Sequence, residues 1–320
     1  MTEIVQSGLW AWERSGDKAV ADRLNLLRRQ HWPSVTTYVR NAVAVGRYEG
    51  RAPWDTPTVQ NRYAGDLGDF LKLALLRWLI ASNAAEPALR LGVVWYLVPD
   101  EDHNADGKHI NYLDPTHPAA RRFRTLDLYD GLASMMRSEA SRSVAGLERC
   151  GTLPPGTVTF GTPLTFRSLA VTDRAERLKR RQRWLDAALT ATADCDAVFV
   201  DPDNGVRRND HGTPRHRNKA EKHAYLDEIH AFLARDQTVV AYHHADRSAP
   251  VEEQAHRRMA EVAAQCGVEP LAAVRASAGT VRLFLVVPAP RHEHLVRKRL
   301  AALGDSRWAT ELRVYWHRPG

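Results

Sequence analysis

The stretch AVFVDPDNGV, residues 197–206, decides how the fold of this chain is interpreted. Its apolar beginning is typical of a buried strand, while the proline after Asp201 ends the strand and the glycine permits a tight turn. Two carboxylates and one amide, those of Asp201, Asp203 and Asn204, therefore lie together at the end of a buried strand. They could cap their own turn, or they could bind a metal ion, accept a proton or hydrogen-bond an amine.

Strand-like and helix-like segments alternate on both sides of this stretch. Continuous apolar runs predict further strands at 90–99, 157–164, 238–244, 279–290 and 311–316. Apolar residues spaced three and four apart predict helices at 65–82, 121–150, 171–193, 219–235, 250–267 and 291–303. Long helices between strands imply parallel pairing through right-handed crossovers, with the last strand free to run antiparallel. The sequence predicts an α/β fold with a mostly parallel sheet covered on both faces.

Three of the predicted strands change from apolar to polar residues at their carboxyl ends, in WYLVPDED, FVDPDNG and AYHHADR. Functional residues of open α/β sheets collect at that edge, so we expect the three ends to line one cleft. His243 and His244 are adjacent in a strand and face opposite sides, so at most one of them lines the cleft. Together with the aspartates, that histidine could form an acid–base or metal-binding group.

Two further segments carry candidate ligand-binding residues. Lys72 lies in a predicted apolar helix, either exposed on its polar face or turned inward, where it would need a carboxylate partner. In the polar loop 100–113, Asp106 and Lys108 flank Gly107. This loop is either a surface turn or a source of backbone donors and a cation for a ligand.

The 320-residue chain has a formal net charge of +7 and a sequence pI near 9.5, carried mainly by arginine. Arginine's planar guanidinium suits phosphate, so a polyanionic partner fits, although a GC-rich genome would produce the same bias. Two basic runs, 174–184 and 207–223, are either solvated faces or, for the one that follows DPDNG, a mobile phosphate-binding loop. The candidate nucleic-acid-binding residues are Arg207, Arg208, Arg215, Arg217, Lys219, Lys222 and, after the next strand, Arg247.

The remaining composition predicts a soluble cytoplasmic protein. No apolar stretch approaches the ~20 residues that a membrane span needs, and the N-terminus has no signal-peptide pattern. The three cysteines are scattered, which fits a reducing compartment. Residues 1–58 predict a helical accessory segment with a proline-containing linker, and residues 59–320 predict the α/β domain. The oligomeric state is left open.

The order of these segments is similar to that of the large-subunit ribosomal RNA adenine-N6 methyltransferases, over residues 61–318. Their first helix carries a lysine in a stretch that Gly68 to Lys72 resembles, and their Asp-Pro-Pro-Tyr motif follows a strand as Asp201 to Asn204 does here. Their late Gly…Pro-Pro stretch is similar to GTVRLFLVVPAP, residues 279–290. The DPDNG signature also resembles that of a group of bacterial proteins, with which no activity is associated.

The resemblance implies a three-layer Rossmann-like, class I methyltransferase fold, S-adenosylmethionine as cofactor and a nucleic acid as substrate. It implies that Asp201 accepts hydrogen bonds from a substrate amine. The candidate catalytic residues are Asp201, Asp203, Asn204, Lys72, His243 and His244. The candidate cofactor-binding residues are Asp69, Asp100, Asp106, Gly107 and Lys108.

Two features depart from that family's pattern. The family holds its cofactor on a glycine-rich turn after the first strand, whereas this chain has WYLVPDEDHNADGK, with a single glycine. The aromatic residue that stacks on the target base is replaced by Asn204.

Two other interpretations stay open. Asp201, Asp203, Asp106 and a histidine at 243 or 244 could bind Mg²⁺ or Mn²⁺ and activate water for phosphoester cleavage. Alternatively, the chain is a non-catalytic nucleic-acid-binding module, because a fold does not determine a function. Three results would distinguish these interpretations. A methyltransferase should be stabilised by S-adenosylmethionine and a metal-dependent hydrolase by Mg²⁺ or Mn²⁺. A binding module should keep its nucleic-acid affinity when both aspartates, Asp201 and Asp203, are lost.

Overall fold

A computed structural model describes residues 64–81, 86–98, 109–124, 127–137, 142–210, 212, 214–277 and 280–318. The predicted helical segment 1–58 and most of the candidate cofactor loop, including Asp100, Asp106, Gly107 and Lys108, lie outside these residues. The division of the chain at residue 58 therefore stays a prediction.

The strands of the described part fall into a main sheet and a small two-stranded sheet, β4-β5. They are β1 (Leu91–Tyr96), β2 (Val158–Phe160), β3 (Ala197–Pro202), β4 (Val206–Arg207), β5 (Ala224–Tyr225), β6 (Thr238–His244), β7 (Ala272–Ala276), β8 (Arg282–Val287) and β9 (Leu312–Trp316). The order in the main sheet is β2-β1-β3-β6-β8-β7-β9. Parallel pairing joins β2, β1, β3 and β6, and antiparallel pairing joins β6, β8, β7 and β9. Five of these strands therefore run one way and two, β8 and β9, run the other.

Helices cover both faces of the sheet. They are α1 (Leu67–Ile80), α2 (Ala120–Phe123), α3 (Asp127–Met136), α4 (Val144–Arg149), α5 (Arg174–Ala191), α6 (Leu226–Leu233), α7 (Val251–Cys266) and α8 (Glu293–Leu303), with 3-10 turns at Asn111–Leu113, Asn218–Lys222 and Pro290–His292. One hydrophobic core packs the helices α1, α2, α3, α4 and α8 against one face of the sheet. A second core packs α5, α6 and α7 against the other face. The predicted α/β fold is confirmed. No helix in the described ranges is both long and apolar enough to cross a membrane.

The alternation of residues along β3 sends its side chains to different cores. Phe199 packs in the core that contains α1, whereas Val198 and Val200 pack on the opposite face. Because side chains two apart in a strand share a face, Asp201 continues the row of Phe199 toward α1. This register decides which helix meets the carboxylate.

Three expectations about secondary structure need correction. The segment 121–150, predicted as mostly helix, contains the separate helices α2, α3 and α4. The helix predicted at 219–235 is a 3-10 turn and the short strand β5, followed by α6. Strand β7, which was not predicted, has the sequence AAVRA, and alanine has a low strand propensity. Its pairing with β8 and β9 outweighs that weak local preference.

Candidate active site

A cavity of about 440 Å³ opens at the carboxyl ends of β1, β3 and β6, beside the start of α1. Its described lining consists of Ala64, Asp66, Gly68, Asp69, Lys72, Trp95, Tyr96, Leu97, His109, Val144, Leu147, Asp201, Pro202, Asp203, Asn204, Tyr242, His244, Thr280 and Arg282. The carboxyl ends of the three strands thus line one cleft, as the sequence predicts, while the polar residues 99–102 after β1 lie outside the described residues. Four carboxylates and two cations belong to this lining, so the cavity wall is predominantly acidic.

The centre of the cavity wall is a buried ion triplet. The Lys72 ammonium lies 2.7 Å from Asp69 Oδ1 and 2.8 Å from Asp201 Oδ2, and 5.0 Å from the centre of the Trp95 ring. Burial alone would lower the pKa of Lys72, but the two carboxylates outweigh it and raise that pKa, so the ammonium is charged at neutral pH. Burial raises the pKa of Asp201, although Lys72 opposes the shift. Of the two alternatives for Lys72, the inward one with a carboxylate partner is confirmed.

A second ion pair fixes the beginning of α1. Asp66 is the N-cap of the helix, and its Oδ1 accepts a hydrogen bond of 2.8 Å from the backbone N–H of Asp69. Its Oδ2 lies 3.1 Å from Nη2 of Arg282, which comes from the start of β8. The guanidinium covers Gly68 so closely that a Cβ at position 68 would overlap it. The two ion pairs therefore join α1 to β3 and β8 around the cavity.

The DPDN turn is tied to the basic loop that follows it. Asp203 Oδ2 lies 3.2 Å from the Lys222 ammonium, and the backbone N–H of Asn204 donates a hydrogen bond of 2.8 Å to the Lys222 carbonyl. Asn204 itself is exposed at the cavity rim. Lys222, predicted to bind phosphate, thus has a structural role at the turn.

Gly205 permits the close approach of this turn to β6. Its φ of +88° is in the left-handed region, and a Cβ there would lie 2.8 Å from His243 Cα and 2.9 Å from His244 N. Because both neighbours are backbone atoms of a central strand, they have no room to move aside. Only glycine fits this position.

We expect Gly205→Ala to lower the free energy of unfolding by at least ~2 kcal/mol, from backbone strain and overlap together. Urea denaturation at pH 7 measures this. Gly212→Ala is the matched control, since a Cβ at 212 meets nothing within 4 Å and should change stability by less than about 0.5 kcal/mol. Equal losses in the two variants would contradict the packing described for Gly205.

The two histidines of β6 face opposite sides, as predicted. His244 lines the cavity, and its Nδ1 lies 3.3 Å from the Tyr242 hydroxyl. His243 is not in the lining, and its Nδ1 accepts a hydrogen bond of 3.3 Å from the backbone N–H of Val206. Burial, reinforced by the nearby Arg258, lowers the pKa of His243 to about 3. His243 is therefore a neutral structural residue, and the interpretation of it as catalytic loses its basis.

The predicted nucleic-acid-binding residues divide into two groups. Arg208 pairs with Asp210 at 2.7 Å, and Arg215 pairs with Asp227 at 2.6 Å and stacks 4.2 Å from the centre of the Tyr225 ring. With Lys222, these cations have internal partners. The side chains of Arg217, Lys219 and Arg247 are exposed, and that of Arg207 is half-buried.

Sequence reasoning missed two buried arginines on α5. Arg177 and Arg181 are 2% and 3% exposed, although their helix has a strongly basic sequence. Arg181 pairs with Glu228 at 2.5 Å and donates to the carbonyls of Ala220 and His223. The segment 214–223, expected to be mobile, is therefore bonded to α5. The only signal in the sequence was the spacing of four between the two arginines, which places them on one helix face.

The metal-binding alternative finds little support in this geometry. Among the described residues, no three His, Cys, Asp or Glu side chains are grouped to hold a metal ion. Lys72 lies between Asp69 and Asp201, where a cation would have to bind. Asp106, the further ligand considered, lies outside the described residues.

The sequence matches no protein-family model and no curated protein.

Proposed function

We propose that this chain is an S-adenosylmethionine-dependent methyltransferase that acts on an amino group of a nucleic acid. The observation that carries the proposal is the placement of Asp201. Its carboxylate lies at the carboxyl end of β3, lines the cavity, and is held by Lys72 at 2.8 Å. A buried carboxylate that stays ionised beside a cation is a strong acceptor for an amine N–H.

The free oxygen of Asp201 is the group that would meet the substrate. Lys72 contacts Oδ2, and Oδ1 has no hydrogen-bond partner among the described residues. A substrate amine that donates to Oδ1 would be held in the cavity by this hydrogen bond, and the bound cofactor would supply the methyl group. Lys72 and Asp69 then act as positioning residues that hold the carboxylate in place. Both oxygens of Asp69 are already used, by Lys72 and by the backbone N–H of Gly65, so Asp69 contributes charge rather than a direct cofactor contact.

The arrangement of strands supports the same proposal. Antiparallel β8 lies between β6 and β7, which both run with the parallel half of the sheet. A mostly parallel sheet with helices on both faces fits the three-layer Rossmann-like fold that the sequence resemblance implies. β3, which carries Asp201, lies between β1 and β6 inside the sheet.

The residues present fit S-adenosylmethionine by charge. This cofactor supplies a methyl group activated on a positively charged sulfonium. The acidic lining of the cavity, with Asp66, Asp69, Asp201 and Asp203, favours a cationic ligand over an anionic one. The end of β1, from Trp95 to Leu97, would lie against it.

Thermal unfolding in the presence of S-adenosylmethionine and S-adenosylhomocysteine tests the proposal. Either ligand should stabilise the native state, by about 2.7 kcal/mol at a concentration 100 times its Kd. Mg²⁺ and Mn²⁺ are the comparison ligands. Stabilisation by these metals alone, abolished in Asp201→Asn, would overturn the proposal in favour of a metal-dependent hydrolase.

A variant separates binding from transfer. Asp201→Asn keeps the shape of the side chain but removes its charge, so it should still be stabilised by the cofactor while methyl transfer to total RNA falls by at least ~100-fold. Asp305→Asn, an exposed residue outside the cavity lining, is the matched control and should retain activity. Transfer of tritiated methyl groups is the readout.

A further inference from the structure

Two basic segments beside the cavity are bonded into one unit by a single buried side chain. The guanidinium of Arg177 donates to the carbonyls of Leu169 and Ala170, at 2.5 and 2.9 Å, in the loop before α5. It also donates to the His216 carbonyl at 2.9 Å and to Asn218 Oδ1 at 2.7 Å, in the loop after β4. Because one rigid planar group contacts both loops, their relative position is fixed.

A second set of contacts strengthens this connection. The buried Glu221 carboxylate accepts a hydrogen bond from the backbone N–H of Phe166. Arg180 donates to the Thr165 carbonyl at 3.1 Å, and Arg181 donates to the Ala220 carbonyl at 2.8 Å. The segments 165–180 and 214–223 therefore form one surface.

Several cationic side chains are exposed in these two segments, together with the carboxylate of Asp173 and the apolar side chains of Val171 and Leu178. We call the group formed by Arg167, Arg174, Arg217 and Lys219 the basic surface. In the part of the chain that the structure describes, Arg174, Arg217 and Lys219 have no carboxylate partner within salt-bridge distance. Burial lowers the pKa of His216, and the charges of Arg174 and Arg217 add to that shift, so both guanidinium groups lie near His216.

The basic surface adjoins the cavity. Lys219 belongs to the 3-10 turn Asn218–Lys222, and Lys222 at the end of that turn contacts Asp203 in the cavity wall. Three residues of a 3-10 helix span only ~6 Å, so a ligand on the basic surface lies within reach of the rim.

We propose that the basic surface binds the phosphodiester backbone of a nucleic acid and directs that strand to the cavity. The inference rests on the proposed function. It leaves out Arg208, Arg215 and Lys222, which pair with carboxylates of this chain, and adds Arg174. Arg177 is a positioning residue that acts through the two loops. The large hydrophobic side chains exposed here, Val171 and Leu178, are not aromatic, so the surface offers no base-stacking platform and binding should depend little on sequence.

Fluorescence anisotropy with a labelled single-stranded RNA and with duplex DNA of the same sequence, without cofactor, tests the proposal. The variant combines Arg174→Gln, Arg217→Gln and Lys219→Gln in the full chain. For single-stranded RNA, the slope of log K against log salt should become shallower by about 2, because each lost phosphate contact contributes ~0.7. Affinity at ~0.1 M salt should then fall on the order of 100-fold.

The control removes the same number of charges elsewhere. Arg291→Gln, Arg297→Gln and Lys298→Gln lie in and before α8, and Arg291 contacts Asp196 at the amino end of β3, opposite the cavity. This variant should keep the wild-type salt slope. Equal effects of the two triple variants, or equally tight competition by poly-glutamate of the same charge, would overturn the proposal.

These experiments test the basic surface and the proposed function separately. A shallower salt slope in the first variant, without any methyl transfer by the wild type, would support the basic surface and overturn the proposed function. Methyl transfer to RNA with an unchanged salt slope in that variant would overturn the basic surface alone.

Discussion

Replacing Lys72 with methionine should lower the free energy of unfolding by about 3–5 kcal/mol at pH 7, because it leaves buried carboxylates without their cation. The side chains of Lys72, Asp69 and Asp201 are 9%, 11% and 16% exposed, so water replaces little of the lost interaction. Methionine retains most of the volume of lysine, which limits the contribution of a cavity to the loss. Urea denaturation followed by circular dichroism measures the change.

The pH dependence of this loss identifies its cause. Burial already raises the pKa of Asp201, and loss of Lys72 removes the charge that opposes this shift. An acid whose pKa is higher in the folded state than in the unfolded state destabilises the fold increasingly as pH rises between the two values. The difference between wild type and Lys72→Met should therefore be larger at pH 8 than at pH 5.

A compensating variant is the control for Lys72→Met. Adding Asp69→Asn and Asp201→Asn removes the unpaired charges, so the triple variant should recover part of the lost stability. A loss that is independent of pH and is not recovered in the triple variant would show that packing, rather than charge, explains the effect.

Replacing Arg181 with methionine should cost a similar ~3–5 kcal/mol, since it leaves Glu228 buried and unpaired. Both side chains of this pair are 4% exposed. The change also removes the donors to the carbonyls of Ala220 and His223, so the segment 214–223 should open locally before the rest of the domain. Urea denaturation measures the first effect, and limited proteolysis at low protease concentration measures the second.

Arg183→Met is the matched control on the same helix. Its guanidinium pairs with Glu176, but the side chain is 66% exposed, so solvent screens the pair and the change should cost less than about 1 kcal/mol. If Arg181→Met and Arg183→Met were equally stable, the buried pair would not be what holds the loop.

Much of the fold followed from local patterns. The strand expected at 238–244 has those bounds in the structure, and the helix expected at 250–267 differs by one residue at each end. Both are long, apolar or strongly periodic segments, in which burial and local preference agree. The reversed direction of β8 could not be predicted in this way, because an apolar strand has the same composition in either direction.

Part of the candidate site could also be predicted from local patterns in the sequence. Period-two alternation along a strand was enough to predict that at most one of His243 and His244 lines the cleft, and the abrupt change at DPDNG was enough to place Asp201 at a strand end. The sequence also restricted Lys72 to two environments, since a buried ammonium requires a carboxylate.

Only the tertiary structure decided which of those environments applies and which cations are available to a ligand. Of the two carboxylate partners of Lys72, Asp69 is three residues away but Asp201 lies 129 residues away in the chain, and the partner of Arg181 lies 47 residues away. The sequence shows where charged residues lie along the chain, but the ion pairs that they form depend on which helices and strands the fold brings together. Arg181 and Arg183 are two residues apart in one basic helix, yet the first is buried against Glu228 and the second is exposed. Helix geometry places the two arginines on different faces of α5. The packing of α6 against one of these faces brings Glu228 to Arg181 and not to Arg183.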